Sequence, residues 1–274
     1  NNPYIQIILF ATIWMGFVGF LDDYLKIIKK IKKGLIARYK MAGQITLGCI
    51  ISYWIFQLPE YSMICTKTTV PFLKNAEIDL GLLYPIMVVI VITGTSNAVN
   101  LTDGLDGLAA GLLAICFTVF SAIAYISGRI DFSSYLNILY LPGAGELAIF
   151  SSAMAGACIG YLWYNSHPAE VFMGDTGSLS SGAALGAIAV LLKKELLLFI
   201  IGGVFVWEAL TVIIQISYFR LTKMSTGEGK RFFKMAPIHH HYELSEWPET
   251  KIVIRFWIIG LLLALFSLTT FKVR

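Results

Sequence analysis

The sequence predicts an all-α protein that crosses a membrane several times. Of its 274 residues, 57% are hydrophobic and only 14% are charged, and the mean hydropathy is +0.73. Soluble domains carry about a quarter charged residues, so this composition excludes an ordinary soluble enzyme. The apolar residues also gather into runs long enough to cross about 30 Å of hydrocarbon as helices.

Eight apolar segments predict eight transmembrane helices. The sixth is short and rich in Gly, Ala and Ser, which suits close helix packing in lipid. No internal repeat, low-complexity tract or separate soluble domain is visible, so we expect a single transmembrane domain over residues 1–274. The eight segments are 4–21, 41–58, 80–99, 107–127, 145–163, 179–193, 196–219 and 252–271.

Lysine and arginine predict the orientation of these helices. The loop after the first segment contains seven of them and the long loop before the last contains six, against seven on the opposite side. Such an excess marks the cytoplasmic face. The net charge of +4 therefore indicates topology, and we expect no nucleic-acid partner. With alternating spans, four loops face the cytoplasm, namely 22–40, 100–106, 164–178 and 220–251.

Five aspartates and all four histidines fall in those cytoplasmic loops. Ionisable groups are costly near hydrocarbon, so their collection at one face favours a functional site over packing. The four cysteines follow neither a disulfide nor a zinc spacing. The clustered residues are Asp22, Asp23, Asp103, Asp106, Asp175, His167, His239, His240 and His241.

Asp22 and Asp23 close the first segment in the motif GFLDDY. They could form an ordinary surface pair with Lys26 at the end of a helix, an arrangement worth little. Acids at a helix C-terminus oppose the helix dipole, however. Adjacent carboxylates near a polyanionic substrate would instead bind a hard cation or accept a proton. The pair alone leaves both interpretations open.

The motif NAVNLTDGLDG contains two asparagines and two Asp-Gly pairs within eleven residues. A single Asx-Gly turn would bond its own backbone. Two such Asp-Gly pairs in tandem are more than a turn between helices requires. Backbone amides at glycines, beside amide and carboxylate side chains, suit a nucleoside or a sugar. We therefore expect this stretch to bind a nucleoside or a sugar.

Asp175, in FMGDTGS, stands just before a predicted helix. It could be an N-cap. A helix N-terminus beside glycines also binds anions, and a carboxylate there favours Mg²⁺ bridging protein and phosphate. The GxxxxGK[ST] motif is absent, so the site is not a P-loop.

Three consecutive histidines, His239, His240 and His241, precede Tyr242 and Glu243. Consecutive side chains rarely point the same way, which disfavours a zinc site. The preceding lysines and arginine favour a phosphate-binding surface, or an interfacial basic helix.

Taken together, these motifs resemble the phospho-N-acetylmuramoyl-pentapeptide transferase family. The likeness runs in order from about residue 17 to about residue 257, through GFLDDYLKIIKK, KGLIARYK, NAVNLTDGLDGLAAG, FMGDTGS and KRFFKMAPIHHHYELSEWPETKIVIRFW. The resemblance implies a Mg²⁺-dependent reaction in which undecaprenyl phosphate attacks UDP-N-acetylmuramoyl-pentapeptide, giving lipid I and UMP. It also implies a bacterial cytoplasmic membrane, with the active site facing the cytoplasm.

The resemblance also implies roles for individual residues. Asp175 would be the Mg²⁺ ligand, and Asp22 and Asp23 would activate or position the lipid phosphate. We favour a base in a single displacement over a covalent nucleophile. The uridine and ribose region would be lined by Asn97, Asn100, Asp103, Gly104, Leu105 and Asp106, with Phe172 stacking on uracil and Asn165 in support. The pyrophosphate or sugar-peptide portion would be approached by His239, His240, His241, Gln215 and Lys40.

Family members have ten transmembrane helices, and the aspartate pair closes the third. Here it closes the first, so we expect two helices to precede this chain, leaving the domain N-terminally incomplete. The resemblance is compatible with a homodimer. A sister transferase that moves N-acetylglucosamine-1-phosphate is the nearest alternative, although PIHHHYE is typical of the muramoyl-pentapeptide branch. A secondary transporter is more remote, because the polar residues lie in loops rather than at the bilayer midplane.

Overall fold

The computed structural model describes residues 2–73 and 76–271 and consists mainly of long helices. Three basic residues counted on the opposite face, Lys74, Lys272 and Arg274, lie outside the described residues. The helices in the described part are α1 Pro3–Ile27, α2 Ala37–Phe56, α3 Tyr84–Thr102, α4 Leu108–Ser127, α5 Ile130–Leu136, α6 Glu146–Asn165, α7 Gly174–Leu191, α8 Glu195–Ile201, α9 Gly203–Thr226, α10 Ile238–Glu243 and α11 Glu249–Thr269.

The helices confirm an all-α polytopic membrane protein. Among the described residues, six helices are long and apolar enough to cross a membrane: α1, α3 with the short turn before it, α4, α6, α9 and α11. Helices α2 and α7 coincide with two further predicted segments but fall outside this set. Helix α2 begins with Arg38 and Lys40 in its first turns, and α7 is built largely from Gly, Ala and Ser.

Three details differ from the sequence prediction. The seventh segment, 196–219, is not one helix, because the chain breaks at Gly202 between α8 and α9. The long loop at 220–251 contains the end of α9 and the short helix α10, which carries the histidines. A small antiparallel hairpin, β1 Lys67–Thr69 and β2 Glu77–Asp79, adds two strands to the helices, with Thr68 opposite Ile78. These local breaks and short pairings leave no trace in hydropathy.

Helix α7 is the centre of the bundle. Its residues from Leu179 to Leu191 are almost all buried, and its most extensive contacts are with α1 and α3. A Cβ on Gly182 would stand 2.7 Å from the Cα of Ser96 in α3, so the two backbones touch. Small residues permit this approach, as the small-residue-rich segment predicts. The packing places the first turn of α7 beside the ends of α1 and α3.

The hairpin closes the opposite end of α7 through buried charges. Glu195, fully buried, accepts hydrogen bonds from Thr68 Oγ1 and Tyr84 Oη, both at 2.6 Å. Lys193 Nζ donates to Tyr84 Oη at 2.7 Å and to the carbonyl of Cys65 at 2.9 Å. The aspartate motifs lie at the other end of the bundle.

Candidate active site

Asp22, Asp23 and Asp175 converge where α1 meets α7. Each offers a carboxylate oxygen, and these atoms lie within 4.8 Å of one another. The residues are not in loops as the sequence analysis expected: Asp22 and Asp23 belong to the last two turns of α1, and Asp175 to the first turn of α7. Helix geometry therefore fixes the cluster, with Asp22 wholly buried.

Asp23 caps α7 from another helix. Its Oδ1 accepts the backbone N–H of Asp175 at 3.2 Å, and its Oδ2 accepts the backbone N–H of Thr176 at 2.9 Å and its hydroxyl at 2.6 Å. The first amides of a helix have no partner within the helix, and the dipole there favours an anion. The sequence allowed Asp175 to be the N-cap of α7, but in the structure Asp23 of α1 caps this helix.

Two lysines neutralise the cluster. Lys26 pairs with Asp22, its neighbour one turn earlier, as the helix-end interpretation predicts, and it also lies 3.5 Å from Asp175. Lys40 comes from α2, pairs with Asp175 and lies 3.1 Å from Asp22. The backbone N–H of Leu35 donates to Asp22 Oδ1 at 2.6 Å. Three carboxylates and two ammonium groups thus share one small volume.

A cavity of about 310 Å³ opens beside Asp175. Asn100 Nδ2 stands at its edge, 3.2 Å from Asp175 Oδ1 and 2.8 Å from Ser178 Oγ. Burial, and then the charges of Asp175 and Asp23, raise the pKa of Asp103 to about 7. The cavity is lined by Asn100, Asp103, Gly104, Leu105, Asp106, Asn165, Phe172, Met173, Gly174 and Asp175.

This lining contains most residues expected to bind the nucleotide, but not all. Phe172 lines the cavity and is 77% exposed, which leaves its ring free for stacking. Asn97 is not among the lining residues; its Nδ2 donates to Gln44 Oε1 at 3.0 Å, and its Oδ1 accepts from Gln44 Nε2 at 3.1 Å. The structure therefore places Asn97 in the contact between α2 and α3.

The three histidines make separate contacts. His239 is buried, with Nδ1 3.1 Å from Glu208 Oε2, and a Cβ on Gly104 would meet its Nε2 at 2.4 Å. His240 contacts Glu243, whereas His241 Nδ1 accepts the backbone N–H of Lys234 at 3.1 Å. Only His239 reaches the cavity wall, because only glycine at position 104 allows the imidazole so close.

Glu208 was missed by the sequence analysis. It is fully buried in α9 and pairs with His239. The signal was present, since a single acid inside the apolar stretch VFVWEALTV is itself an indication of function in a membrane helix. It could not be linked to His239 before the fold brought α9 and α10 together.

Gln215 lies away from the aspartates. Its Oε1 accepts the backbone N–H groups of Phe232 and Phe233, at 3.2 and 2.9 Å. It lines a separate cavity of about 480 Å³, between α9 and the loop before α10, together with Arg220 and Arg231. Gln215 therefore shapes this loop rather than the pocket beside Asp175.

Comparison with known proteins identifies the family of this chain. Residues 5–193 match the family model described as glycosyl transferase family 4. The chain is 56% identical over 273 residues to the phospho-N-acetylmuramoyl-pentapeptide-transferase of Chloroherpeton thalassium, and 53% identical over 274 residues to those of Chlorobium phaeobacteroides and Thermodesulfovibrio yellowstonii. Each match covers 100% of this chain and 74% of the relative. The chain therefore belongs to the phospho-N-acetylmuramoyl-pentapeptide-transferase family, within glycosyl transferase family 4.

Proposed function

We propose that the chain transfers phospho-N-acetylmuramoyl-pentapeptide from its UDP-activated donor to undecaprenyl phosphate, giving lipid I and UMP. Family membership supports the reaction. The observation that carries the site is the convergence of Asp22, Asp23 and Asp175 beside a cavity of nucleotide size. Phosphoryl transfer needs charge neutralisation and alignment more than covalent help from the protein, and this cluster offers both.

The donor set fits Mg²⁺. Hard cations prefer carboxylate oxygens, and Asp175 presents its carboxylate next to those of Asp22 and Asp23. Asp175 is the proposed Mg²⁺ ligand. The other two carboxylates are already engaged, because Asp23 caps α7 and Asp22 Oδ1 accepts the backbone N–H of Leu35. Bound there, Mg²⁺ would neutralise charge on the donor pyrophosphate. Lys26 and Lys40 supply positive charge from the protein itself.

Asp22 and Asp23 position or deprotonate the lipid phosphate in a single displacement. Their hydrogen bonds favour positioning: Asp23 fixes the helix that carries Asp175, and Asp22 orients both lysines. A phosphate monoester has its second pKa near 6 and is mostly dianionic at neutral pH. The acceptor therefore needs alignment more than activation.

The donor nucleotide lies in the cavity of about 310 Å³. Phe172 stacks on uracil, while Asn100, Asp103, Gly104, Leu105, Asp106 and Asn165 surround the nucleoside. His239 supports this wall through Gly104. Lys40 meets the pyrophosphate, and the sugar-peptide portion is faced by His240 and His241 from α10 and by Gln215 from α9. Asn97 supports the site from behind, through Gln44.

The chain forms one transmembrane domain in the bacterial cytoplasmic membrane, with the aspartate cluster on the cytoplasmic side. The thirteen basic residues counted on that face support this orientation. Helices α2 and α7 complete eight crossings, because they pack between helices that are long enough to span. A homodimer remains part of this proposal.

A donor-preference assay tests the reaction. Purified protein with Mg²⁺ and undecaprenyl phosphate should release UMP from UDP-N-acetylmuramoyl-pentapeptide but not from UDP-N-acetylglucosamine. Omitting undecaprenyl phosphate provides the control, because release without acceptor would indicate simple hydrolysis. Preference for UDP-N-acetylglucosamine would contradict the proposal and place the chain with the sister transferases.

A further inference from the structure

His167 and Glu249 lie beside the nucleotide cavity but have no part in the chemistry proposed above. His167 Nδ1 is 3.1 Å from Asp106 Oδ2, and the backbone N–H of Ala169 donates to the same oxygen at 3.0 Å. Glu249 Oε1 accepts the backbone N–H of Asp106 at 2.7 Å, and its Oε2 is 3.5 Å from His167 Nδ1. Asp106 is therefore held by two segments distant from it in the sequence.

The direction of these hydrogen bonds is fixed by chemistry. An ionised carboxylate only accepts, so the tautomer that fits this contact has its proton on His167 Nδ1 and donates it to Asp106 Oδ2, while Glu249 Oε2 lies 3.5 Å from the same nitrogen. One imidazole thereby joins the loop after α3, the loop after α6 and the first turn of α11. Hydrogen bonds that involve an ionised group are stronger than neutral ones.

These contacts occupy one carboxylate oxygen of Asp106, Oδ2, and its backbone amide. Its carboxylate faces the 167–169 segment, and its amide faces Glu249. The next amide, of Gly107, donates to Asn165 Oδ1 at 3.1 Å. Gly107 has φ +78°, so without these bonds this glycine-flanked turn would have much conformational freedom. The turn that lines the cavity is fixed before a ligand arrives.

We propose that His167 and Glu249 are positioning residues for the donor nucleotide. They clamp Asp106, so that the turn at 104–107 presents a preformed wall to a uridine nucleotide. Rigid sites bind more tightly because less freedom is lost on binding. This inference rests on the proposed function, since it assumes that the cavity takes the nucleotide.

Matched substitutions distinguish the loss of the contacts to Asp106 from a general loss of structure. His167→Ala removes the donor, whereas His167→Asn places an amide N–H at the position of Nδ1. Glu249→Ala removes the acceptor of the Asp106 amide, whereas Glu249→Gln keeps an oxygen there. Glu170→Gln is the control, since Glu170 is exposed and lies in the same loop.

UMP binding to the purified protein is measured first, by calorimetry in detergent. We expect the Kd of UMP to rise about tenfold in both alanine variants, the effect of losing one charge-assisted hydrogen bond. The Asn, Gln and control variants should stay within about threefold of the wild type. Equal Kd values in His167→Ala and wild type would overturn the clamp. Failure of the wild type to bind UMP would instead overturn the proposed function.

Steady-state kinetics distinguish positioning from a purely structural role. Both alanine variants should raise the KM for the UDP-linked donor about tenfold, with kcat and the KM for undecaprenyl phosphate within about twofold. A fall in kcat and a rise in the KM for undecaprenyl phosphate as large as the rise in the KM for the donor would overturn the assignment. So would a stoichiometric transition metal in the wild type that His167→Ala removes, because Nδ1 would then be a ligand rather than a donor.

Discussion

Asp23 caps a helix to which it is not adjacent in sequence. Both of its oxygens are occupied by the first turn of α7, which carries Asp175. One carboxylate therefore satisfies free amides, balances the helix dipole and fixes the proposed metal ligand. The sequence marks Asp22, Asp23 and Asp175 as candidate site residues, but it does not predict this division of roles, because a cap supplied by a distant helix has no local signature.

Substituting Asp175 tests the proposed metal site. Asp175→Asn keeps the shape and removes the charge, so we expect turnover to fall at least about a hundredfold. UMP binding without Mg²⁺ should change little. UMP release and calorimetry measure the two effects. Asp131→Asn is the control, since this exposed aspartate pairs with Arg129 far from the cluster. Near-normal turnover of Asp175→Asn would remove its metal role.

The raised pKa of Asp103 predicts a pH-dependent stability. Burial and its carboxylate neighbours raise the pKa from 3.8 to about 7, so between these values the folded state keeps a proton that the unfolded state loses. Stability is therefore greatest below pH 4 for this group and falls as pH rises to about 7. With a discount for solvent screening, we expect a loss of about 2 kcal/mol across this range.

Thermal unfolding in EDTA at pH 5 and pH 7 measures the greater part of that loss. The difference between the two melting temperatures should shrink in Asp103→Asn, which cannot ionise, and persist in Asp131→Asn. Added Mg²⁺ should also shrink it, because a nearby cation favours the carboxylate. A pH dependence that Asp103→Asn leaves unchanged would contradict the raised pKa.

The contact between α1 and α7 determines how the aspartates meet. Gly19, one turn before Asp22 and Asp23, lies against α7, and a Cβ there would stand 2.2 Å from the carbonyl oxygen of Asp175. Gly16, one turn earlier, is different: its Cβ would meet Ser180 Cβ at 3.6 Å, an ordinary contact. The two glycines look alike in sequence, but only one supports the site.

Alanine at these two glycines tests the contact. Gly19→Ala should separate α1 from α7, lower stability by about 2 kcal/mol and reduce UMP release at least about tenfold. Gly16→Ala should retain nearly full activity, with stability equal or slightly higher, because alanine is the better helix former. Melting temperatures and the release assay measure both variants. Equal behaviour of the two would show that the close approach at Gly19 is unimportant.

Helix positions followed from hydropathy, whereas their interruptions did not. Apolar runs predicted the long helices, because burial in lipid needs about twenty apolar residues whatever the tertiary contacts. The break at Gly202 and the short helix α10 depend on packing. So does the pairing of Glu208 with His239, which joins residues 31 positions apart. The sequence motifs predicted which residues belong to the site, but the partners of these residues became known only from the fold.

The whole molecule has two different polar ends. At one end lie the aspartates, Lys26, Lys40 and the histidines, around open cavities. At the other end Lys193 and Glu195 are buried beneath the hairpin, where their partners satisfy them. The first arrangement suits exchange with soluble substrate, and the second suits a closed structural end. Because the proposed nucleotide donor is cytoplasmic, we expect the end with the aspartates to face the cytoplasm.

Cysteine labelling tests that orientation. After replacement of Cys49 and Cys65 by Ala, a cysteine is introduced either at Lys32, after α1, or at Met63, which is 86% exposed in the loop before the hairpin and lies outside the candidate spans. A membrane-impermeant maleimide should label Met63→Cys in intact spheroplasts, and Lys32→Cys only after permeabilisation. The basic loop at 26–40 is the physical reason, since its lysines resist translocation. The reverse labelling pattern would place the aspartate cluster outside the cell, where it could not meet a cytoplasmic nucleotide donor.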